Sequence, residues 1–286
     1  MRSFLDVAAP DFADLAATFG SGADVLILDL TRAASLAGAA EARAAMAEAL
    51  RRHAGTAGRP RLWVRINGFA SGLADLDLDA AVAAGADGIV LPKAAGGADV
   101  TRLDAKIAVA EAIHAIPDGR TRVVATIGET ALSVFQAGTY RGASHRLAGL
   151  LWNAGGLAAD LGVSAIRDTD GALRDTFRHA RSAVLLGAAA ADVPAIDDAT
   201  EAGHDLADDC RRAAADGFAA KLTGSAGDVA AINAAFTPSQ AEIDEAQAIV
   251  AAFAAAAGAP VVEWGGRLLD RSRLTRALGR IARAGR

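Results

Sequence analysis

Short runs of β-branched and aliphatic residues alternate along this chain with longer alanine-rich segments whose apolar positions recur at helical spacing. That alternation predicts repeated β–α units around a parallel sheet. Strands are predicted at residues 3–7, 25–29, 62–67, 88–93, 122–127, 147–152, 193–197 and 218–222, with helices between them. Several read apolar almost throughout, such as VLILDL and GIVLPK. Strands must do so when helices cover them outside and packed side chains fill the space inside. The eight units predict an α/β fold of the (β/α)8, or TIM-barrel, type over residues 1–236.

After Phe236 the pattern changes. The stretch TPSQAEIDEAQAIVAAFAAAAG opens on Thr237 and Pro238, continues as an amphipathic helix and stops at Gly258. A short extended VVEW, a turn at Gly265 and Gly266, the triplet LLD and a basic helix over 273–283 complete a C-terminal helical appendage, residues 237–286. The arginines of the last helix are read as a solvated face with positive charge toward the helix C-terminus.

At 286 residues, with 52% hydrophobic and 22% charged positions, the chain can bury the core of one barrel with its appendage. A net charge of -5 and a pI near 5.6 argue against a polyanionic partner, so nucleic acid is not expected. The opening MRSFLDVAAPDF is not a signal peptide and no run of 18 apolar residues follows, which predicts a cytoplasmic protein without a membrane partner. Cys210 is the only cysteine, and its polar helical context reads as a structural thiol. Histidines at 53, 114, 145, 179 and 204 form no metal-binding spacing. Neither a nucleophile elbow nor a phosphate-binding glycine loop is present, so serine hydrolase and nucleotidase chemistry are not predicted.

Active sites of such barrels gather at the C-terminal strand ends. Asp29, Arg65, Asn67, Lys93, Glu129, Asp197 and Lys221 all fall at or just beyond predicted ends. Arg65, in an otherwise apolar strand, is predicted to face inward.

The segments RSFLDVAAP, GADVLILDL, LWVRIN, GADGIVLPK, IGETA, NAGGLAADLG, DVPAID, GFAAKL, INAAFTPSQAEI and GGRLLD, in that order, resemble the citrate lyase beta-subunit family, also called the HpcH/HpaI aldolase family, with its malyl-CoA and citramalyl-CoA lyase relatives. The resemblance covers almost the whole chain. It implies magnesium-dependent cleavage or condensation of a carbon–carbon bond in short acyl-CoA thioesters (citryl-, malyl- or citramalyl-CoA) by way of an enolate. It also implies a homo-oligomer, trimer or hexamer, whose appendage serves as a lid on a neighbouring barrel.

By the same resemblance Glu129 in IGETA takes the place of a metal-binding glutamate, and Arg65 that of a substrate-carboxylate binder. Lys93 is retained, and Asp270 in GGRLLD would be an acid or base carried by the lid. The second metal carboxylate is missing, because NAGGLAADLG puts Gly155 and Gly156 where the family pattern has acids. Asp160, later in that motif, lies a helical turn away from the metal position. Thr31, Arg32 and Ala95 likewise stand at acidic positions, while Ser225, Ala226 and Asp228 replace the His, Pro and Gln of a loop associated with coenzyme A. Five acids are thus lost and one positive charge gained, which predicts a mouth less hospitable to a cation. Backbone N–H groups at Gly155 and Gly156, with Arg32, Arg65 and Lys93, are predicted to bind a small carboxylate or phosphate without metal. The functional expectation is a divergent citrate lyase beta-like protein whose lyase activity is altered or lost; the alternative is a non-catalytic protein that binds a metabolite or a partner.

Overall fold

The computed structural model describes residues 1–33, 35–198, 205–256 and 258–284. Strands β1 (Ser3–Ala8), β2 (Val25–Asp29), β3 (Arg61–Arg65), β4 (Gly88–Leu91), β5 (Arg122–Ile127), β6 (Leu147–Trp152), β7 (Ala195–Asp198) and β8 (Ala220–Thr223) close into a barrel in sequence order. Every neighbouring pair is parallel, and β8 returns to β1 with Ser3 opposite Lys221. Helices α1 (Leu15–Phe19), α2 (Leu36–His53), α3 (Ala74–Ala83), α4 (Gly97–Ile113), α5 (Ala131–Phe135), α6 (Ala154–Leu161), α7 (Asp175–Ala191), α8 (Leu206–Asp216) and α9 (Val229–Phe236) follow the strands. This is the (β/α)8 barrel that the alternation predicts. The chain divides into two compact units, residues 1–233 and 234–286.

Strands β7 and β8 each begin two residues later than predicted. The apolar residues that extend the sequence pattern backward belong to the preceding helix ends. Val193 N–H bonds to Ala188 O at 3.0 Å and Phe218 N–H to Ala213 O at 3.0 Å, each just after a left-handed residue, Asp192 (φ 58°) and Gly217 (φ 118°). These are helix-terminating bonds that reach back over the last turn, with a hydrophobic residue behind them. One shift matters below, because it moves the end of β7 from Asp197 to Asp198.

Alternate residues fill the barrel. Phe4, Val25, Ile27, Trp63, Val90, Val124, Leu151, Ile196, Ala220 and Leu222 form one buried cluster, as the two-residue period of a strand requires. Trp63 is the largest of them, meeting Phe4 edge-to-face at 6.3 Å. It fits because Gly88 on the adjoining strand has no side chain: a Cβ there would lie 2.6 Å from the indole ring. At the opposite end from the strand C-termini, Arg146 is fully buried at the entry to β6, paired with Glu111 of α4 at 2.8 Å and with Asp118. Cys210 is buried in α8, and burial pushes its thiol up to about 11, consistent with a structural role.

In the second unit, α10 (Gln240–Ala255) starts at a reciprocal cap between Ser239 and Glu242. A hairpin of β9 (Val261–Trp264) and β10 (Arg267–Asp270) follows, then α11 (Arg271–Ala284). Gly265 and Gly266 both take positive φ, 59° and 71°, which the tight turn between these strands demands. Ala246, Ile249, Phe253, Val262, Leu269 and Ala277 form this unit's own core. Among the described residues no helix is long and apolar enough to cross a membrane.

Gly88→Ala should destabilise the barrel by about 1–3 kcal/mol through overpacking against Trp63. Urea unfolding followed by tryptophan fluorescence measures it, and an unchanged midpoint would show that the indole has room to retreat.

Candidate functional site at the barrel mouth

The inward rows continue past the apolar core to the C-terminal strand ends, and there the sequence places charge. Two residues beyond Phe4 on β1 is Asp6; beyond Ile27 on β2, Asp29; beyond Trp63 on β3, Arg65; beyond Ile196 on β7, Asp198. All four line a cavity of about 910 Å³, together with Arg32, Asn67, Lys93, Asp99, Glu129, Asn153 and Thr223.

Arg65 is the centre of this cluster. Its Nη1 donates to Asp6 Oδ2 at 2.7 Å and to Asp29 Oδ2 at 2.9 Å, with side chains only 9%, 10% and 2% exposed. Burial opposes the charge of Arg65, but the two carboxylates outweigh it and raise its pKa. Both use the same nitrogen, so among the described residues Nη2 keeps its hydrogens for a ligand. Asp29 also accepts from Thr31 N–H at 2.8 Å, Thr31 Oγ1 at 2.6 Å and Arg32 Nε at 3.2 Å. Burial works against its ionisation, yet Arg65 and Thr31 hold its pKa below the ordinary value. Asp6 goes the other way: burial raises it, Arg65 compensates incompletely, and its Oδ1 has no hydrogen-bond partner among the described residues.

Glu129, just beyond β5, is held from two sides. One carboxylate oxygen accepts the Lys93 N–H and the other accepts Asn153 Nδ2 at 3.0 Å. Burial raises its pKa, and the Lys93 N–H opposes that rise. Lys93 adopts φ 52°, a conformation that aims its N–H at Glu129 while its side chain stays exposed at the rim. Asn153 caps α6, accepting from Gly156 N–H at 3.0 Å. Gly156 lies directly against Glu129: a Cβ there would meet Glu129 Cγ at 2.8 Å and Cβ at 2.9 Å. The absence of a side chain at 156 therefore makes room for Glu129.

The other predicted residues are placed as follows. Arg32 is 61% exposed at the rim, against Asp29. Neither Gly155 nor Gly156 lines the cavity, and the Gly156 N–H is taken by Asn153, so this corner offers less free backbone than predicted. Asn67 is fixed from behind by Asp77 of α3, at 2.7 Å through Nδ2 and 2.9 Å through its N–H, and Asp77 is in turn held by Arg43 of α2 at 2.8 Å. Asp197 and Lys221 face the outer helices instead of the mouth. Lys221 Nζ bonds Asp197 at 2.8 Å and Asp209 of α8 at 2.7 Å, and Arg181 of α7 grips Asp197 through Nε at 3.0 Å and Nη2 at 3.1 Å. Asp270, in the second unit, caps α11: its Oδ1 accepts from Ser272 Oγ at 2.5 Å, Ser272 N–H at 3.0 Å and Arg273 N–H at 3.2 Å.

Asp6, Asn153 and Asp198 escape the reading from sequence. Asp6 is legible from strand parity, since it shares a face with Phe4. Asp198 is hidden by the misplaced end of β7. Asp6 and Asp198 add two carboxyls to the mouth that the reading from sequence does not count. Asp198 accepts no side-chain hydrogen bond from the described residues; burial first, then the neighbouring Asp197 and Asp6, push it up to about 7.

Residues 2–234 match the family described as HpcH/HpaI aldolase/citrate lyase. The citrate lyase subunit beta of Leuconostoc mesenteroides subsp. cremoris is 32% identical over 271 residues, covering 90% of this chain and 84% of that protein. The L-malyl-CoA/beta-methylmalyl-CoA lyase of Cereibacter sphaeroides is 29% identical over 275 residues, covering 87% and 84%. Among solved structures, the protein CitE of Mycobacterium tuberculosis in complex with magnesium, acetoacetate and coenzyme A superimposes with a TM-score of 0.72 at 27% identity, over 100% of this chain and 98% of that one.

Gly156→Asp should displace Glu129 and break its bond to the Lys93 N–H, destabilising the protein by about 1–3 kcal/mol. Thermal unfolding of the variant reads this directly. A variant as stable as the parent would mean that Glu129 swings aside freely.

Proposed function

Since the chain belongs to the HpcH/HpaI aldolase/citrate lyase family, we propose that its barrel mouth binds a small carboxylate through Arg65 and Arg32, and that the family's magnesium-assisted carbon–carbon chemistry is altered or lost. The observation that carries this reading is the condition of Glu129, whose two oxygens are already claimed by the Lys93 N–H and Asn153 while Gly156 beside it contributes no oxygen.

Magnesium prefers oxygen ligands in near-octahedral array and is usually anchored by one or two carboxylates, with waters and substrate completing the shell. Among the described residues no three Asp, Glu, His or Cys side chains converge as a metal-holding group. Of the remaining acids of the mouth, Asp6 and Asp29 are committed to Arg65 and Asp99 to the Ala95 N–H, while Asp198 accepts no hydrogen bond from the described residues. This donor set does not fit a resident magnesium, although CitE of M. tuberculosis is solved with magnesium and acetoacetate or oxaloacetate.

A carboxylate finds better partners. Arg65 lines the cavity, and its guanidinium keeps donors beyond the bonded Nη1 in one plane, the geometry that pairs two-to-two with a carboxylate. Arg32 and Lys93 at the rim add positive charge without burial cost. What these residues can do is bind and orient an oxo- or hydroxyacid. The coenzyme A portion is less well supported, because Asp228 and Thr223 bond to each other at 2.7 Å where the family pattern has a coenzyme A loop. Asp270 as a lid-borne acid or base also has weak support, its carboxylate being occupied as a helix cap. A non-catalytic, metabolite-binding protein is therefore the second reading, favoured by these two committed carboxylates.

Calorimetry separates the readings. Oxaloacetate or malate should bind without magnesium, and Arg65→Met should weaken that binding about 10- to 100-fold, the loss of a charge-assisted pair. Magnesium titrated alone should give no tight site; a tight one would overturn the metal-free reading. Malyl-CoA or citramalyl-CoA turned over in a Glu129-dependent manner would restore the lyase reading over the non-catalytic one.

A further inference from the structure

Of the carboxyls that line the mouth, Asp198 is the one that accepts no hydrogen bond from the described residues, since Asp99 takes the Ala95 N–H at 2.8 Å. Asp6 and Asp29 are tied to Arg65, and Glu129 to Lys93 and Asn153. Asp198 also borders a second cavity, of about 580 Å³, on the outer side of β7 beneath α7 and α8. It stands where the two spaces approach each other.

Its surroundings are unbalanced. From β1 the neighbouring charge is Asp6, from β3 Arg65, from β8 Lys221, and from its own strand Asp197. The second cavity adds Arg178 and Arg181 from α7, Asp209, Arg212 and Asp216 from α8, and Arg167 and Asp170 from the segment between α6 and α7. The cations are already matched: Arg65 by Asp6 and Asp29, Lys221 by Asp197 and Asp209, Arg181 by Asp197 and Asp216, Arg167 by Asp209, Arg178 by Asp175 and Arg212 by Asp208. A further carboxylate at 198 would be an unmatched negative charge beside ion pairs complete without it. A neutral carboxylic acid is the form that fits, and it brings an O–H donor to a cavity in which the other inward carboxyls only accept.

We propose that Asp198 is the proton-carrying group of the mouth, donating its O–H to the anionic ligand that Arg65 receives, so that carboxylate binding and protonation of Asp198 are coupled. This rests on the carboxylate-binding reading above. The proton stays on Asp198 oxygen and forms a hydrogen bond, with no bond made or broken elsewhere. Above the pH at which Asp198 ionises, binding must recruit a proton from solvent, and affinity falls as pH rises; below it the proton is already in place and affinity is level. The position selects for anions with an acceptor oxygen beyond the one paired to Arg65, such as the second carboxylate or the oxo group of an oxoacid.

The test is calorimetric titration of the full-length protein with oxaloacetate and with malate at pH 6 and pH 8, in buffers of different ionisation enthalpy, alongside infrared spectra of the free protein. The parent should bind roughly tenfold more weakly at pH 8 than at pH 6 and should take up close to one proton per ligand at pH 8. Asp198→Asn keeps the shape and a donor, so its affinity should be level across that range, with no proton uptake. A protonated-carboxyl band of the parent that titrates near neutral pH should vanish in the variant. Proton uptake that survives Asp198→Asn, or a band the substitution leaves unchanged, overturns the proposal. If neither ligand binds at either pH, the carboxylate reading of the mouth fails, and the infrared band alone decides whether Asp198 carries the proton. Thermal unfolding of Asp198→Asn confirms that the comparison is made on folded protein.

Discussion

A guanidinium withdrawn from water must be met by carboxylates, and at the head of this barrel Arg65 is met by Asp6 and Asp29 through a single nitrogen. That requirement ties the ends of three successive strands into one cluster. It fixes the plane of the guanidinium, leaves one side of it toward the cavity, and uses up acids that could otherwise attract a metal. Charge at the mouth is thereby arranged in pairs, and the interesting groups are those left outside the pairing.

Glycine does comparable work on the other side of the mouth. Without a side chain at 156, Glu129 can lie against the first turn of α6, where Asn153 caps the helix and reaches the carboxylate with the same amide group. Glu129 thereby serves as a strut joining the loops after β4, β5 and β6. A side chain at 156 has no room while Glu129 lies there.

Strand parity explains both what was legible and what was missed. Residues two apart share a face, so once Phe4, Ile27 and Trp63 are recognised as core, Asp6, Asp29 and Arg65 follow as mouth residues. The same rule sends Asp197 and Lys221 outward, where they join Arg181 and Asp209 between sheet and helices. The error over Asp197 came from reading proximity to a strand end as a direction. Asp198 was lost because the C-terminal turn of α7 borrows Val193, a residue with strand character, and so displaces the strand by two positions.

The order of apolar runs and amphipathic segments determined the barrel, because a parallel sheet covered on both faces leaves that pattern in any sequence that forms it. Motif order determined the family, which the match over residues 2–234 bears out. Tertiary structure alone decided which charges neutralise one another. Arg65 meets a carboxylate 59 residues away on β1, and Glu129 is fixed by a backbone N–H that depends on the left-handed turn at Lys93. Asp198, one residue past Asp197, faces the opposite way. Such pairings depend on closure of the barrel, which brings distant strand ends within hydrogen-bonding reach, and local sequence carries no record of that distance.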